Sequence, residues 1–221
     1  MIDFSIPRRI FGRLALFAAF AVSGLALVHP AHAADEAPDK LIDRATQEVL
    51  DAIKNDPGIK SGDIAKIMNL VDTKLMPNVN FQRMTASAVG PEWRQATPEQ
   101  KKRLQSEFKT LLVRTYAGAL DQVNNQKVVV RPFRGSIDDK EVLVRTEVSG
   151  RGDDPVQIDY RLEKTPGEGS GWKVYNLNVL GVWLVETYRS QFSQEINTGG
   201  IDGLINKLAE RNSRGGKELK N

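Results

Sequence analysis

The feature that most restricts this chain is a change of period. Between residues 127 and 179 apolar residues alternate with polar ones, while on either side they recur every three or four positions. A period of two belongs to a strand with one covered face, and a period near 3.6 to a helix with one buried stripe. The order is helices, then strands, then helices again. No repeated strand–helix unit is present, which excludes a doubly wound parallel sheet and points to an α+β fold.

Four strands are expected, at 127–134, Glu141–Ser149, Val156–Lys164 and Trp172–Val179, with turns at Asp138-Asp139, 150–155 and 166–171. The third alternates most clearly: Val156, Ile158, Tyr160 and Leu162 share one face, and Gln157, Asp159, Arg161 and Glu163 the other. The second sets Val142, Val144 and Val148 against Arg145 and Glu147. In the fourth the phase slips between Val174 and Leu177, which a bulge near Tyr175-Asn176 accounts for. One-sided strands suit a mostly antiparallel sheet covered on one face. On this pattern Asp159 points outward to solvent. The paired carboxylates Asp138-Asp139 and Asp153-Asp154 read as turn residues rather than cation ligands. Gly167, Gly169 and Gly171 precede a strand, so they make a hairpin and not a phosphate loop.

The first helix is expected at Pro38–Asn55, stopped by Asp56-Pro57-Gly58. Ser61 is the expected cap of a second, whose stripe is Ile64, Ile67, Met68, Val71 and Leu75 and which Pro77 ends. A short helix follows Asn80 and carries Phe81 and Met84 up to Gly90-Pro91. Thr97-Pro98-Glu99-Gln100 then combines an N-cap, a first-turn proline and a glutamine three residues on. The wide apolar stripe behind it contains Leu104, Phe108, Leu111, Leu112, Tyr116 and Leu120, and the helix is expected to end near Asn124-Asn125. After Gly181, Leu184, Tyr188, Phe192 and Ile196 are spaced by four. Gly199-Gly200 separates them from a last helix with Ile201, Leu204, Ile205 and Leu208, and the end from Arg211 is polar, basic and expected to fray.

Residues 1–33 have a different character. Arg8, Arg9 and Arg13 precede an uncharged apolar run at 14–28, and Ala31-His32-Ala33 places small residues where a signal peptidase reads. The run is shorter than the ~20 residues a membrane-spanning helix needs. We read a cleaved export signal, with a single domain over 34–210: a helical half at 34–125, the sheet at 126–180 and closing helices at 181–210. A basic tail at 211–221 follows. Arg8-Arg9-Ile10-Phe11 faintly resembles a twin-arginine signal, so both export routes stay open. Cleavage leaves 188 of the 221 residues and lowers the net charge from +3 to +1, because the segment holds three arginines and one aspartate. The electrostatic case for nucleic-acid binding goes with it.

Cleavage also removes both histidines, His29 and His32, and the chain has no cysteine. Ser-His-Asp, Cys-His and Cys/His metal sites are therefore excluded, and no disulfide supports the fold. Carboxylate or lysine chemistry remains open. Phe81, Trp93, Phe108, Tyr116, Tyr160, Trp172, Trp183, Tyr188 and Phe192 fall mostly on the apolar stripes. The pattern alone leaves two options: a closed core, or a pocket lined by the same residue types.

Several segments, taken together, resemble a known family. Val89-Gly90-Pro91-Glu92-Trp93-Arg94 followed by Thr97-Pro98-Glu99-Gln100 is similar to a segment of the MlaC, or toluene-tolerance Ttg2D, family. So are Gly171-Trp172-Lys173-Val174-Tyr175-Asn176 with Leu180-Gly181-Val182, and Tyr188-Arg189-Ser190-Gln191-Phe192. The likeness runs over nearly the whole chain behind the signal. Asn176, Leu180 and Trp183 depart from it, standing where the family often has Asp, Glu and Ser. The resemblance implies a periplasmic phospholipid carrier, not an enzyme, without cofactor or metal. Its fold would be related to the NTF2/cystatin-like group: a four-stranded curved sheet wrapped by helices around an apolar cavity. Partners implied are an outer-membrane lipoprotein–porin complex and an inner-membrane ABC transporter, with maintenance of outer-membrane lipid asymmetry as the role.

On that reading Val142, Val144, Val156, Ile158, Tyr160 and Val174 of the sheet, with Phe108, Leu111, Leu112 and Tyr116 of the long helix, wall the lipid tails. Phe81 joins them, and Trp93, Trp183, Tyr188 and Phe192 are expected at the rim. The alternatives are a hopanoid or other lipid as cargo, an NTF2-like enzyme using Asp159 as a buried base, and a closed structural adaptor.

Overall fold

The computed structural model describes residues 36–120, 123, 126–149 and 155–218. The export signal at 1–33, the Asp153-Asp154 turn, Asn124-Asn125 and the last residues of the tail lie outside the described residues; the helix expected to run to Asn124-Asn125 ends at Tyr116, where a tight turn at Ala117–Ala119 follows. Helix α1 spans Pro38–Asn55, α2 Pro57–Lys60 and α3 Ile64–Leu70, which continues as a wider turn at Val71–Leu75 and a tight one at Met76–Asn78. Helix α4 is Phe81–Val89 and α5 Pro98–Tyr116. Five strands follow: β1 Lys127–Val130, β2 Glu141–Ser149, β3 Val156–Lys164, β4 Trp172–Val179 and β5 Val182–Trp183. Helix α6, Leu184–Glu218, closes the chain and is broken at Gly200.

Local chemistry accounts for most boundaries. Asn80 caps α4 by accepting the Arg83 N–H, and Gly90, at φ 86°, ends it. At α5 the capping box forms in full: the Thr97 hydroxyl accepts the Gln100 N–H while the Gln100 side chain accepts the Thr97 N–H. The cap of α3 is not Ser61 but Asp63, whose carboxylate accepts from both Ala65 and Lys66. Asp56-Pro57 stops α1 at Asn55 as expected and also starts the single turn of α2, where proline at the first position is preorganised. The expected fraying from Arg211 is helix as far as Glu218, with Asn212 buried.

The strands form one antiparallel sheet in the order β1-β2-β3-β4-β5. The count is five where four are expected. After Leu180 and Gly181, both at positive φ, the chain turns back and pairs Val182 and Trp183 with Val179 and Asn178. Two residues are too few to show alternation. The bulge expected in the fourth strand is present: Arg161 pairs with Asn176 and Leu162 with Val174, leaving Tyr175 as the extra residue.

Three groups of buried residues hold the fold. One joins α4, α5 and α6 around Phe108. A second sets Leu41 and Ile42 of α1 on the sheet residues Val142, Val144, Leu162, Trp172 and Val174. The third packs the far end of α1 on α2, α3 and the end of α5, through Ile53, Ile59, Ile67, Leu70 and Val113. Val79 packs against both the first group and the second. It also forms a one-residue parallel bridge with Val174, where the Asn80 N–H donates to the Val174 carbonyl at 2.9 Å.

Candidate functional site

Cross-strand partners share a face. Val142 and Val144 lie opposite Leu162 and Tyr160, and these lie opposite Val174 and Leu177. That face meets α1. Val142, Val144, Leu162 and Val174 are buried, while Tyr160 and Leu177 are half-buried beside them. The Tyr160 hydroxyl bonds to Thr146 of β2 and Thr46 of α1, so it ties the sheet to the helix, and burial pushes its pKa up. Val156 and Ile158 continue the face toward its end and are half-buried.

The second apolar surface is an aromatic cluster. Phe108 of α5, fully buried, meets Tyr188 and Phe192 of α6 edge-on at 4.9 and 5.1 Å between ring centres, and Phe81 of α4 stacks on it at 5.7 Å. Leu111 is buried with them, and Trp93 and Leu112 pack on the cluster from its margin. Burial raises the Tyr188 pKa, and its hydroxyl bonds to Thr115.

Two expected site residues lie at the margin or beyond it. Tyr116 is 49% exposed and meets the aromatic cluster through a side-chain hydrogen bond to Tyr188. Trp183 pairs with Asn178 and so belongs to the opposite face of the sheet, where the Arg161 guanidinium lies 3.7 Å over its ring and bonds to Glu186. The remaining thirteen fall into the two apolar surfaces, which Val79 joins. That residue gave no sequence signal, being one valine in an irregular linker.

Asp159 also lies on the opposite face, in phase with its alternation, but it is buried and not solvated as expected. Asn176 and Asn178 on the same face are buried as well, and Asn176 bonds to the first turn of α6. Both Asp159 carboxylate oxygens accept from the Gln157 side chain, at 3.0 and 3.1 Å. The face carrying Asp159 is the wrong one for a base acting between sheet and α1. Asn176 is a local organiser: its oxygen accepts the Leu177 and Val185 N–H groups and its nitrogen donates to Glu186. Farther along, Arg83 of α4 reaches over the Tyr175 ring at 3.6 Å to pair with Glu141 and Glu163, and that pairing holds the Glu141 carboxyl below its ordinary range. Asp139 accepts the Ser136 N–H within its own turn. Among the described residues no group of three or more His, Cys, Asp or Glu could hold a metal ion.

Two open pockets are formed mainly by polar side chains. One, about 570 Å³, lies between the 131–135 segment and β2; the other, about 340 Å³, lies between α5 and the end of α6. Neither is an apolar space between sheet and helices. At their centres the apolar surfaces are filled by side chains, with Leu41, Leu104, Phe108 and Leu162 all at 0% exposure, while Phe81, Leu112, Tyr160 and Leu177 stay half-buried.

With that geometry in hand, the profile of the family described as MlaC protein matches residues 43–210. The chain belongs to the MlaC family. It is 32% identical over 214 residues to the toluene tolerance protein Ttg2D of Pseudomonas putida, covering 93% of each chain. Over 183 residues it is 25% identical to the Haemophilus influenzae intermembrane phospholipid transport system binding protein MlaC, covering 82% of this chain and 85% of that one. Among solved structures it matches a phospholipid-binding protein from Ralstonia solanacearum in complex with a phospholipid. That match has 46% identity and a TM-score of 0.76 over 80% of this chain and 98% of the other. MlaC membership thus agrees with the antiparallel sheet and flanking helices found here.

Proposed function

We propose that this MlaC-family chain is a periplasmic phospholipid carrier, exported by residues 1–33. It encloses acyl tails and shuttles lipid between an outer-membrane lipoprotein–porin complex and an inner-membrane ABC transporter, maintaining outer-membrane lipid asymmetry. The observation that carries this reading is the 46% identical Ralstonia protein, which matches over nearly all of its own length and holds a phospholipid.

The physics agrees. Two acyl chains hold roughly thirty methylenes, whose exposure at ~0.8 kcal/mol each would cost on the order of 20 kcal/mol. A carrier must cover them, and the two apolar surfaces joined by Val79 are the side chains suited to it. The walls are Val142, Val144, Tyr160 and Val174 with Phe81, Phe108, Leu111 and Leu112, continued by Val156 and Ile158. Trp93, Tyr188 and Phe192 border them. Tyr116 meets this border from the solvent side through Tyr188, and Trp183 stays outside. In this structure Val79 packs against both surfaces, and tails enter where the two meet at it. Carriage needs no bond making, so a chain with no histidine beyond residue 32 and no cysteine loses nothing in this role.

The test is native mass spectrometry of protein purified from its own periplasm, with lipid extraction of the same sample. The expected result is a bound species with the mass of a two-chain phospholipid. A uniformly lipid-free protein that also takes up no phospholipid from vesicles would refute the proposal.

A further inference from the structure

The pocket between α5 and the end of α6 is lined by Leu111, Arg114, Thr115, Lys207, Glu210, Arg211, Asn212 and Arg214. Its charge is lopsided: four cationic side chains and one carboxylate, with Glu210 already paired to Lys207 and Arg214. Two of its polar atoms are buried without a hydrogen-bond partner among the described residues, the Arg114 Nε and the Asn212 Oδ1. Such atoms cost free energy unless something satisfies them.

The Asn212 side chain, 7% exposed, has a fixed orientation. Its nitrogen donates to the Glu107 carbonyl at 3.0 Å and to the Glu107 carboxylate at 2.7 Å, two acceptors that its oxygen could not face. The oxygen is therefore held as an acceptor awaiting a donor. Arg114 Nε–H is a donor awaiting an acceptor. A bare anion answers only the arginine. A bare ammonium group answers only the asparagine.

We propose that this pocket binds a phosphate ester carrying a hydrogen-bond donor on its alcohol, an ammonium N–H or a hydroxyl, with the phosphate among Arg114, Arg211 and Arg214 and the donor on Asn212. The site adjoins the helical apolar surface, with which it shares Leu111, but it does not rest on the carrier reading. The same chemistry is found in a water-soluble ester and in the head of a membrane phospholipid.

The experiment uses O-phosphoethanolamine and phosphocholine, which carry the same charged groups and differ in the N–H donors that only the first possesses. Binding to the lipid-free protein is followed by backbone amide shifts at Thr115, Arg211 and Asn212. Phosphoethanolamine should bind about tenfold more tightly than phosphocholine or inorganic phosphate, the scale of one hydrogen bond to an otherwise unmet buried group. Arg114→Gln and, independently, the exposed Arg211→Gln should each weaken it about tenfold, the scale of one charge-assisted contact, with circular dichroism confirming the fold. A second arm replaces the soluble esters with vesicles of phosphatidylethanolamine or phosphatidylcholine. Response to the soluble ester assigns the site to free phosphate esters; response to phosphatidylethanolamine vesicles alone assigns it to a lipid headgroup. No response to either, equal affinity for the choline and ethanolamine forms, or binding unchanged in both variants overturns the proposal.

Discussion

Phe108→Ala tests the closed packing of the helical surface. The ring is fully buried and makes three aromatic contacts, at 4.9, 5.1 and 5.7 Å. Deleting a buried phenylalanine side chain to alanine costs about 3–5 kcal/mol through lost transfer energy and the cavity left behind. Each aromatic pair adds about 0.5–1.5 kcal/mol beyond its area, although three contacts to one ring do not add fully. The expected loss is therefore near the top of that range, about 4–5 kcal/mol. For a domain of this size that corresponds to roughly 10 °C in Tm. Phe108→Leu keeps most of the volume and loses the ring contacts, so it should cost about 1–2 kcal/mol. Urea unfolding of lipid-stripped protein, with the slope unchanged, gives the numbers. A loss under about 1.5 kcal/mol for the alanine variant would mean that the surfaces are not closed around Phe108 as described. Repeating the measurement on lipid-loaded protein adds a second check. A tail that enters beside Phe108 would fill the cavity, so the loss there should be smaller.

Four further outcomes follow from single residues. Gly200 sits at φ 66° and ψ −166° with nothing near an added Cβ, so Gly200→Ala should lose about 1–3 kcal/mol to backbone strain alone. Gly199→Ala, equally uncrowded and not at positive φ, should be neutral or gain up to ~1 kcal/mol. Asn176→Leu strands the Leu177 and Val185 N–H groups and leaves the Glu186 carboxylate with Arg161 alone, and urea unfolding should show a loss of about 2–4 kcal/mol. Glu141 has its folded-state pKa depressed by Arg83, so its contribution is complete above the ordinary glutamate value of about 4.3 and is lost as pH falls through the folded value. The Tm gap between the parent and Glu141→Gln should therefore close on acidification, and a gap constant from pH 7 to pH 3 would contradict the pairing.

What could be read from sequence was whatever is local. Capping at Thr97-Gln100, the stop at Gly90, the break at Gly200 and the alternation of β2 and β3 each need only neighbours within one turn or one strand. The bulge at Tyr175 showed itself as a slip in phase. Features that depend on distant partners did not show. Asp63 outcompeted Ser61 as a cap because the turn closed two residues later. Asp159 looked solvated because alternation tells which face a side chain takes and not whether that face is covered. The two apolar surfaces were visible as stripes, but their junction at Val79 was not, since one residue has no period. Asn212 lay in a stretch that composition alone marks as a polar tail.

Strand β4 carries one residue more than its partner requires. Removing Tyr175 would leave Val174 and Trp172 on the core side and Asn176 on the other, because a bulge adds a residue without reversing what flanks it. The cost would fall on the Arg83 stack and the hydrogen bond to Glu141. Deleting any other interior residue of a strand turns half its side chains inside out. Chain length in this sheet is therefore negotiable at one address, and relatives that differ there by one residue could keep the same core.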